Sequence, residues 1–477
     1  MKKIKILILL ALFISIGVNA QNETDALRYS RTFFGGTARY ESIGGAFGAL
    51  GADFSTLSTN PAGIGLFKSS EFSITPSLFV NNSESNYNNT VNDDNKYNFN
   101  FNNIGGIFNF DTHKETGWKN FQLGFGYNRL KNFNKRLMIE GSNNENSLLT
   151  QYLDNITGIN PGDLQDMYPF DISLAYETDL IFTDTLGNYY CDMPEGGMLQ
   201  RKTVSSHGYI DETVVSFGAN YNDKFFLGVT LGFPKIYYSE ESGYSEIDTE
   251  DKSEYFDAFT LHNNLKTKGT GFNLKFGMIY KPVDWLRLGA AVHTPTFYDD
   301  MTDTWYSSIS SQFDDGTHYY KSSPDGAFDY KLETPMRTMG NIAFIIGTHG
   351  LISADVEFVD YSDARLREEQ DFYDQNDAIR NKYTTQTNYH IGTEWKIKNI
   401  YLRGGYAFYG SPYKNNINDA ERTYYTFGMG FREQNYFVDV AYVISNESSD
   451  YYLYDYANPV KNDFKTSKFM VSLGFKF

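Results

Sequence analysis

Apolar and polar residues alternate with a period of two over about fourteen segments from residue 69 onward, which predicts β-strands. The last segment is the clearest, because Phe469, Val471, Leu473, Phe475 and Phe477 share one face, opposite polar and small residues. The predicted strands occupy residues 69–80, 97–110, 118–131, 213–221, 224–238, 266–281, 285–297, 328–347, 350–361, 384–397, 400–410, 423–432, 436–445 and 465–477. The chain is therefore predicted to be all-β.

The lengths of the connections distinguish a membrane barrel from a soluble sandwich. Alternation alone fits both, because the apolar face packs on a second sheet in a sandwich and faces lipid in a barrel. Connections after even-numbered strands are short, such as Asn222-Asp223, whereas those after odd-numbered strands are mostly long and polar, the longest being 132–212. Outer-membrane barrels have short periplasmic turns and long extracellular loops. Residues 69–477 are thus predicted to form a fourteen-stranded antiparallel transmembrane β-barrel.

The first twenty residues have the features of a secretory signal peptide. Lysines at positions 2, 3 and 5 precede an apolar run over 6–16, and small residues end at Ala20, so that the mature chain would begin at Gln21. An exported barrel predicts the outer membrane of a Gram-negative bacterium, with the lipid bilayer and lipopolysaccharide as its surroundings. The net charge of −18 argues against binding nucleic acid, and the single cysteine, Cys191, excludes an internal disulfide.

Residues 21–68 do not alternate and are rich in glycine and alanine. Glycines at 44, 45, 48 and 51 permit turns and close packing that other residues resist, and the sequence Asn60-Pro61-Ala62-Gly63 predicts a further turn. A phosphate-binding loop is excluded, because no Lys-Ser/Thr follows these glycines and no strand precedes them. The alternatives left are a plug inside the barrel and a coiled N-terminal arm.

The stretch from Gly35 to Ser77 resembles the hatch segment of the FadL/TodX outer-membrane transport family. The resemblance rests on Gly-Gly-Ala-Phe-Gly-Ala-Leu-Gly-Ala-Asp followed by Asn-Pro-Ala-Gly. That family consists of fourteen-stranded barrels that take up long-chain fatty acids and aromatic hydrocarbons. The resemblance implies that residues 21–68 are a hatch that plugs the lumen, with Asn60, Pro61 and Ala62 against the wall. The terminal Phe477 similarly resembles the signal read by the barrel-assembly machinery.

The connection 132–212 is much longer than in the best-known members of the family, and it contains a candidate site for substrate capture. After Ser147, five apolar residues recur near helical spacing, which predicts a short amphipathic helix at the mouth. These residues are Leu148, Leu149, Tyr152, Leu153 and Ile156. One hypothesis is that they capture a hydrophobic solute, and the alternative is a cap packed on itself.

Alternation also places charged side chains in the lumen, among them Arg287 and Arg403. One interpretation is that either arginine binds a substrate carboxylate. The favoured interpretation is structural pairing with inward acidic residues, because opposite charges inside a plugged lumen are less costly together than alone.

These features predict a channel for passive uptake of hydrophobic molecules such as long-chain fatty acids. An alternative is a barrel of the type IX secretion system that handles cargo proteins and contacts other secretion components. A lipase or protease is less favoured, since no Gly-x-Ser-x-Gly elbow accompanies the seven histidines. We predict no cofactor and no metal site, because acidic runs such as Asp299-Asp300 lack the spacing of a calcium loop.

Overall fold

The computed structural model describes residues 23–193, 197–415 and 417–477. The predicted signal peptide, residues 1–20, lies outside these ranges. No helix within them is both long enough and apolar enough to cross a membrane.

Fourteen antiparallel strands form a closed ring in which the last strand pairs with the first. These wall strands are β1 (Glu71–Tyr87), β2 (Thr90–Asp111), β3 (Trp118–Asn132), β4 (Met198–Tyr221), β5 (Phe225–Ile247), β6 (Phe256–Val283), β7 (Leu286–His293), β8 (Arg337–Ile346), β9 (Gly350–Asp360), β10 (Thr385–Ile397), β11 (Ile400–Tyr409), β12 (Arg422–Arg432), β13 (Tyr436–Tyr451) and β14 (Val460–Lys476). The predicted all-β fold and strand number are confirmed.

The outside of the ring is apolar and the inside is polar. On β14, Phe469 and Leu473 are exposed on the outer surface, whereas Ser472 is buried inside. Tryptophans 118, 285 and 395 lie near the short turns, where an aromatic girdle meets the membrane interface. Lipid is the solvent that suits such a belt, and each wall strand pairs with a neighbour on both sides over at least part of its length. The barrel therefore spans the outer membrane of a Gram-negative bacterium, as the sequence predicted.

Several segments predicted as loops are strands that continue the wall outward. The predicted connection 81–96 is wrong, because β1 and β2 extend to a two-residue turn at Asn88 and Asn89. Both residues have positive φ (46° and 67°), as tight hairpin turns require and asparagine tolerates. The predicted connections 132–212 and 298–327 likewise contain the strands Lys135–Asn143, Phe297–Phe313 and His318–Ser322.

Proline interrupts two strands of the wall. The predicted strand 328–347 is in fact Gly326–Glu333 followed by β8, with Pro335 between them. Pro295 separates β7 from Phe297–Phe313 in the same way, and both pieces pair with β6. Proline lacks the backbone N–H that a strand needs for hydrogen bonding to its neighbour. The alternation of apolar and polar residues continues across the proline, so it does not reveal this interruption.

Helices occur in the lumen and in two extracellular connections. The lumen holds α1 (Glu23–Ser30), α2 (Ala38–Ser42) and the 3₁₀ helices Phe54–Ser58 and Pro61–Leu66. The extracellular elements are α3 (Leu148–Ile156), the 3₁₀ helix Pro161–Asp163, α4 (Leu164–Met167), α5 (Ile172–Glu177), the strands Phe182–Thr183 and Tyr189–Tyr190, the 3₁₀ helix Tyr361–Asp363, the strand Arg365–Leu366 and α6 (Tyr373–Lys382). We call residues 148–177, which carry α3 to α5, the cap.

Candidate functional site

The hatch folds around the two motifs that the sequence singled out. Asn60 caps the 3₁₀ helix that begins at Pro61, since its Oδ1 accepts from the backbone N of Ala62 at 3.2 Å. Its Nδ2 donates to the carbonyl oxygen of Gly48 at 2.7 Å and thereby joins the two motifs. A Cβ at Gly51 would lie 2.9 Å from the Cα of Gly63, so these backbones touch. Contacts within the hatch therefore hold Asn60, Ala62, Gly51 and Gly63 in place.

Two further glycines of the predicted motif require a conformation that other residues avoid. Gly44 and Gly45 have φ of +66° and +75°, which turns the chain after α2. The carbonyl oxygen of Gly44 lies 2.7 Å from Nδ1 of His390 on the wall. The turn thus presents the hatch backbone directly to β10.

The wall meets the hatch at a set of inward-facing glycines that sequence reasoning missed. A Cβ at Gly228 would overlap the carbonyl oxygen of Pro61, and one at Gly277 would overlap Oδ1 of Asn60. We call this set the glycine seat. Its members are Gly124, Gly218, Gly228, Gly277, Gly392, Gly405 and Gly428. Their recurrence at inward positions of separate strands was the signal available in the sequence. At these positions the seat brings the wall into direct contact with the hatch.

Ion pairs fasten the hatch where the glycines do not. Arg403 is fully buried and contacts Glu394 at 2.6 Å and Asp439 at 2.7 Å. Arg39 of α2 binds the same Glu394 from the hatch side at 2.9 Å. Arg287 donates to the carbonyl oxygen of Leu50 at 2.5 Å. The two arginines predicted to face the lumen do so and are occupied by wall and hatch, while a role in binding substrate stays a prediction.

A cavity of about 100 Å³ lies above the hatch, lined by Phe33, Phe34 and polar groups of the wall. Lys275 pairs there with Glu212, and Arg337 pairs with Glu357 at 3.1 Å. These two pairs balance four of the charges that line the chamber, which is therefore polar.

Helix α1 fills the lumen on the extracellular side of this chamber. Leu27 and Tyr29 belong to a buried apolar cluster with Phe133 and Tyr238 of the wall. Lys131 donates to the carbonyl oxygens of Arg28 and Arg31, at 2.7 and 2.8 Å, where the helix ends. An ammonium group at a helix C-terminus is favourable. The mouth is thus closed by residues that lie on the path to the chamber.

The wall is broken between β2 and β3. Their ladder runs from Asp111 and Asn120 to Asn103 and Asn128 and ends there. Beyond this point β3 pairs with β4, and the strand Lys135–Asn143 bends across the inside of the β1–β2 hairpin. Among the described residues, 90–102 of β2 have no strand partner on this side. We call this gap the wall break.

The wall break faces outward at the extracellular edge of the apolar belt. Phe99 and Phe101 flank it on the outer surface, and Phe99 is 64% exposed. Arg129 lines the outer side of the break and also an inner pocket of about 70 Å³ beside the hatch. Arg129 therefore lies between the inner pocket and the outer side of the wall break.

No protein-family model matches the chain, and no curated protein matches it. Among solved structures, it is similar to the toluene transporter TodX of Pseudomonas putida, with a TM-score of 0.57 and 13% identity over 93% of this chain and 99% of that one. A FadL homologue of Pseudomonas aeruginosa has a TM-score of 0.55 and 12% identity, covering 94% of this chain and 99% of its own. This chain has the FadL/TodX-type fold. Identity this low establishes the architecture, and the resemblance inferred from the hatch motif is confirmed at that level.

In this FadL/TodX-type barrel, the predicted capture residues lie in the core of the cap. Leu148, Leu149, Tyr152 and Ile156 are buried, Leu149 completely, while Leu153 is half-buried. Their cluster includes Phe256 and Phe259 of β6 and Tyr454 of the β13–β14 connection. Burial favours the self-packed alternative, and the capture role stays a prediction.

Two histidines of the wall and the terminal Phe477 also have structural partners. His293, like His390, bonds to a hatch carbonyl oxygen, with its Nε2 2.6 Å from that of Thr59. The backbone N of Phe477 donates to Ser70 at 3.0 Å, beside the start of β1, and its role in assembly stays a prediction. Within the described ranges, no group of three His, Cys, Asp or Glu side chains is arranged to hold a metal.

Proposed function

We propose that this protein is an outer-membrane channel for the passive uptake of hydrophobic molecules such as long-chain fatty acids. The observation that carries this proposal is the wall break, which lies beside an inner pocket next to the hatch. A solute inside the barrel meets packed backbone towards the periplasm and a strand gap towards the membrane. The solute therefore leaves by the lateral route.

The route begins at the extracellular end of the lumen, which α1 fills. An apolar solute is excluded by the sugar layer of lipopolysaccharide, so the channel must give it apolar contacts beyond that layer. Phe133 and Tyr238, the wall members of the cluster around Leu27 and Tyr29, supply such contacts once α1 moves aside. The solute then passes Lys131 and Arg129 and leaves between β2 and β3.

A reversible cross-link across the wall break tests the route. Asn98 and Asn132 face each other there, with Nδ2 and Oδ1 3.3 Å apart. In a Cys191→Ser background, we would replace both with cysteine and bridge them with a reducible bifunctional thiol reagent. Uptake of a labelled fatty acid into liposomes by this variant should fall on bridging and return to its unbridged rate on reduction. The single-cysteine variants, treated identically, are the controls.

Unchanged uptake after complete bridging would overturn the lateral route, and absence of uptake by the unmodified protein would overturn the proposed function. A deletion strain distinguishes uptake from the secretion alternative. The secretion alternative requires that this strain fails to secrete cargo proteins while its fatty-acid uptake stays normal.

A further inference from the structure

The wall break is lined by a chain of asparagine amides. Nδ2 of Asn134 donates to Oδ1 of Asn132 at 2.7 Å, and Nδ2 of Asn132 donates to Oδ1 of Asn98 at 3.3 Å. Nδ2 of Asn100 donates to the same Oδ1 of Asn98 at 3.0 Å. The four amides thus connect the two strands that share no ladder here.

This chain continues to the hatch. The hydroxyl of Ser77 donates to Oδ1 of Asn100 at 2.8 Å and lies 2.9 Å from Oδ1 of Asn102. Nδ2 of Asn102 donates to Oε1 of Glu41 at 2.7 Å, and Glu41 is a fully buried residue of α2 that pairs with Lys468. An uninterrupted series of polar contacts therefore runs from the gap in the wall to the hatch.

The chemistry of this lining is unsuited to a hydrocarbon. An unpaired strand edge at the border of the apolar belt leaves backbone N–H and C=O groups that need polar partners. The hydroxyl of Tyr127, at 2.9 Å, satisfies the carbonyl oxygen of Phe101. A hydrocarbon that parted the amides would leave their donors and acceptors without hydrogen-bond partners, which is unfavourable. A head group that donates and accepts hydrogen bonds would replace them.

The inner side of the break favours the same kind of head group. The pocket beside the hatch is lined by Arg129, Lys131 and Arg422 together with Phe33 and Phe34. Cationic donors next to aromatic rings suit a molecule with one polar end and one apolar body.

We propose that Asn98, Asn100, Asn132 and Asn134 form a hydrogen-bonding gate that makes the wall break selective for single-chain amphiphiles with a polar head group over hydrocarbons. This inference rests on the proposed function and adds a substrate class to it.

Replacing two of the amides by apolar side chains of similar size tests the gate. Asn98→Leu/Asn132→Leu should reduce liposome uptake of dodecanol and dodecanoate at least tenfold relative to the parent protein. Uptake of toluene should stay within twofold of the parent value or rise. The matched control is Asn81→Leu, on neighbouring β1, whose Nδ2 donates to Thr466 and which lies outside the break. Asn98→Gln/Asn132→Gln, which keeps the amides, should restore amphiphile uptake. Retained heat-modifiable mobility on electrophoresis establishes that each barrel is folded.

The possible results separate this inference from the proposed function. An equal fall for dodecanol and toluene overturns the selectivity, and an unchanged rate for dodecanol overturns the gate. Parent protein that transports neither class overturns the proposed function and the inference with it. Parent protein that transports toluene at least as fast as dodecanol overturns the inference alone.

Discussion

The hatch and the wall meet in two different ways on two sides of the barrel. From β4 to β12, inward glycines bring the wall backbone against the hatch, and buried ion pairs fasten it. Between β2 and β3, the ladder ends at Asn103 and Asn128, and beyond that point the wall is joined by asparagine amides. The first side resists any displacement, because moving the hatch would expose charges and break close packing. The second side exchanges one hydrogen bond for another at small cost. The comparison shows that an opening in the wall is expected where the contacts can be replaced by contacts with a solute.

Removing the central arginine should break the sealed side. Arg403→Met leaves Glu394 and Asp439 buried with one cationic partner fewer each, and we expect a loss of about 3 kcal/mol in unfolding free energy. The hatch should loosen, so the conductance of single channels in planar bilayers should rise. Arg380→Met is the control, because Arg380 forms an exposed pair with Asp377. Equal stability for both variants would contradict the fastening role.

Adding a side chain to the glycine seat should have the next largest effect. A Cβ at Gly405 would lie closer than 3.0 Å to Gly44, so Gly405→Val should cost about 2 kcal/mol and displace the hatch. The adjacent Gly404 is the control, since the nearest atom to its Cβ would be 3.9 Å away. The two variants should differ in urea unfolding midpoint and in ion leak. Similar behaviour would mean that the seat is not tight.

The hatch motif should contribute less, because its bonds are neutral. Asn60→Ala removes the helix cap and the bond to Gly48, and we expect a loss of about 1 kcal/mol. Asn160→Ala is the matched control, because Asn160 also precedes a 3₁₀ helix that starts with proline and makes no capping side-chain bond. Its unfolding free energy should be unchanged. A larger loss of unfolding free energy for Asn160→Ala than for Asn60→Ala would contradict the stabilising role of Asn60.

The smallest effect is expected on the open side. Tyr127→Phe removes the hydroxyl that binds the carbonyl oxygen of Phe101 and should cost about 1 kcal/mol locally. Hydrogen exchange measured by mass spectrometry should show about fivefold less protection over 97–102, with the hatch unchanged. Tyr442→Phe, which loses a 3.3 Å contact to Ser467, is the control. A change confined to the hatch would contradict a local role for Tyr127.

The barrel was predictable because lipid and lumen impose opposite demands on alternating residues of every wall strand. The hatch was predictable from its glycines and from Asn60-Pro61, because these residues favour turns and close packing and do not fit a regular strand. The outward reach of β1 and β2 was missed, because Asn88 and Asn89 stand in a polar stretch that also suits a loop. A polar stretch indicates that the residues lie outside the membrane, but the strands continue to pair with each other there.

The wall break and the glycine seat were not predictable from one strand at a time. Asn98 and Asn132 alternate correctly within their own strands, and only their register across the gap brings them together. Gly228 and Gly277 likewise appear as ordinary small residues until Pro61 and Asn60 are placed against them. The leucines after Ser147 had the correct spacing for a helix, but their partners lie in β6 and in the β13–β14 connection.

The glycine seat also constrains the order in which the protein assembles. Backbone contact all along one side leaves no clearance for threading a segment into a finished ring. We therefore expect the N-terminal segment to be held in place while the sheet is still open, so that the wall closes around its own core.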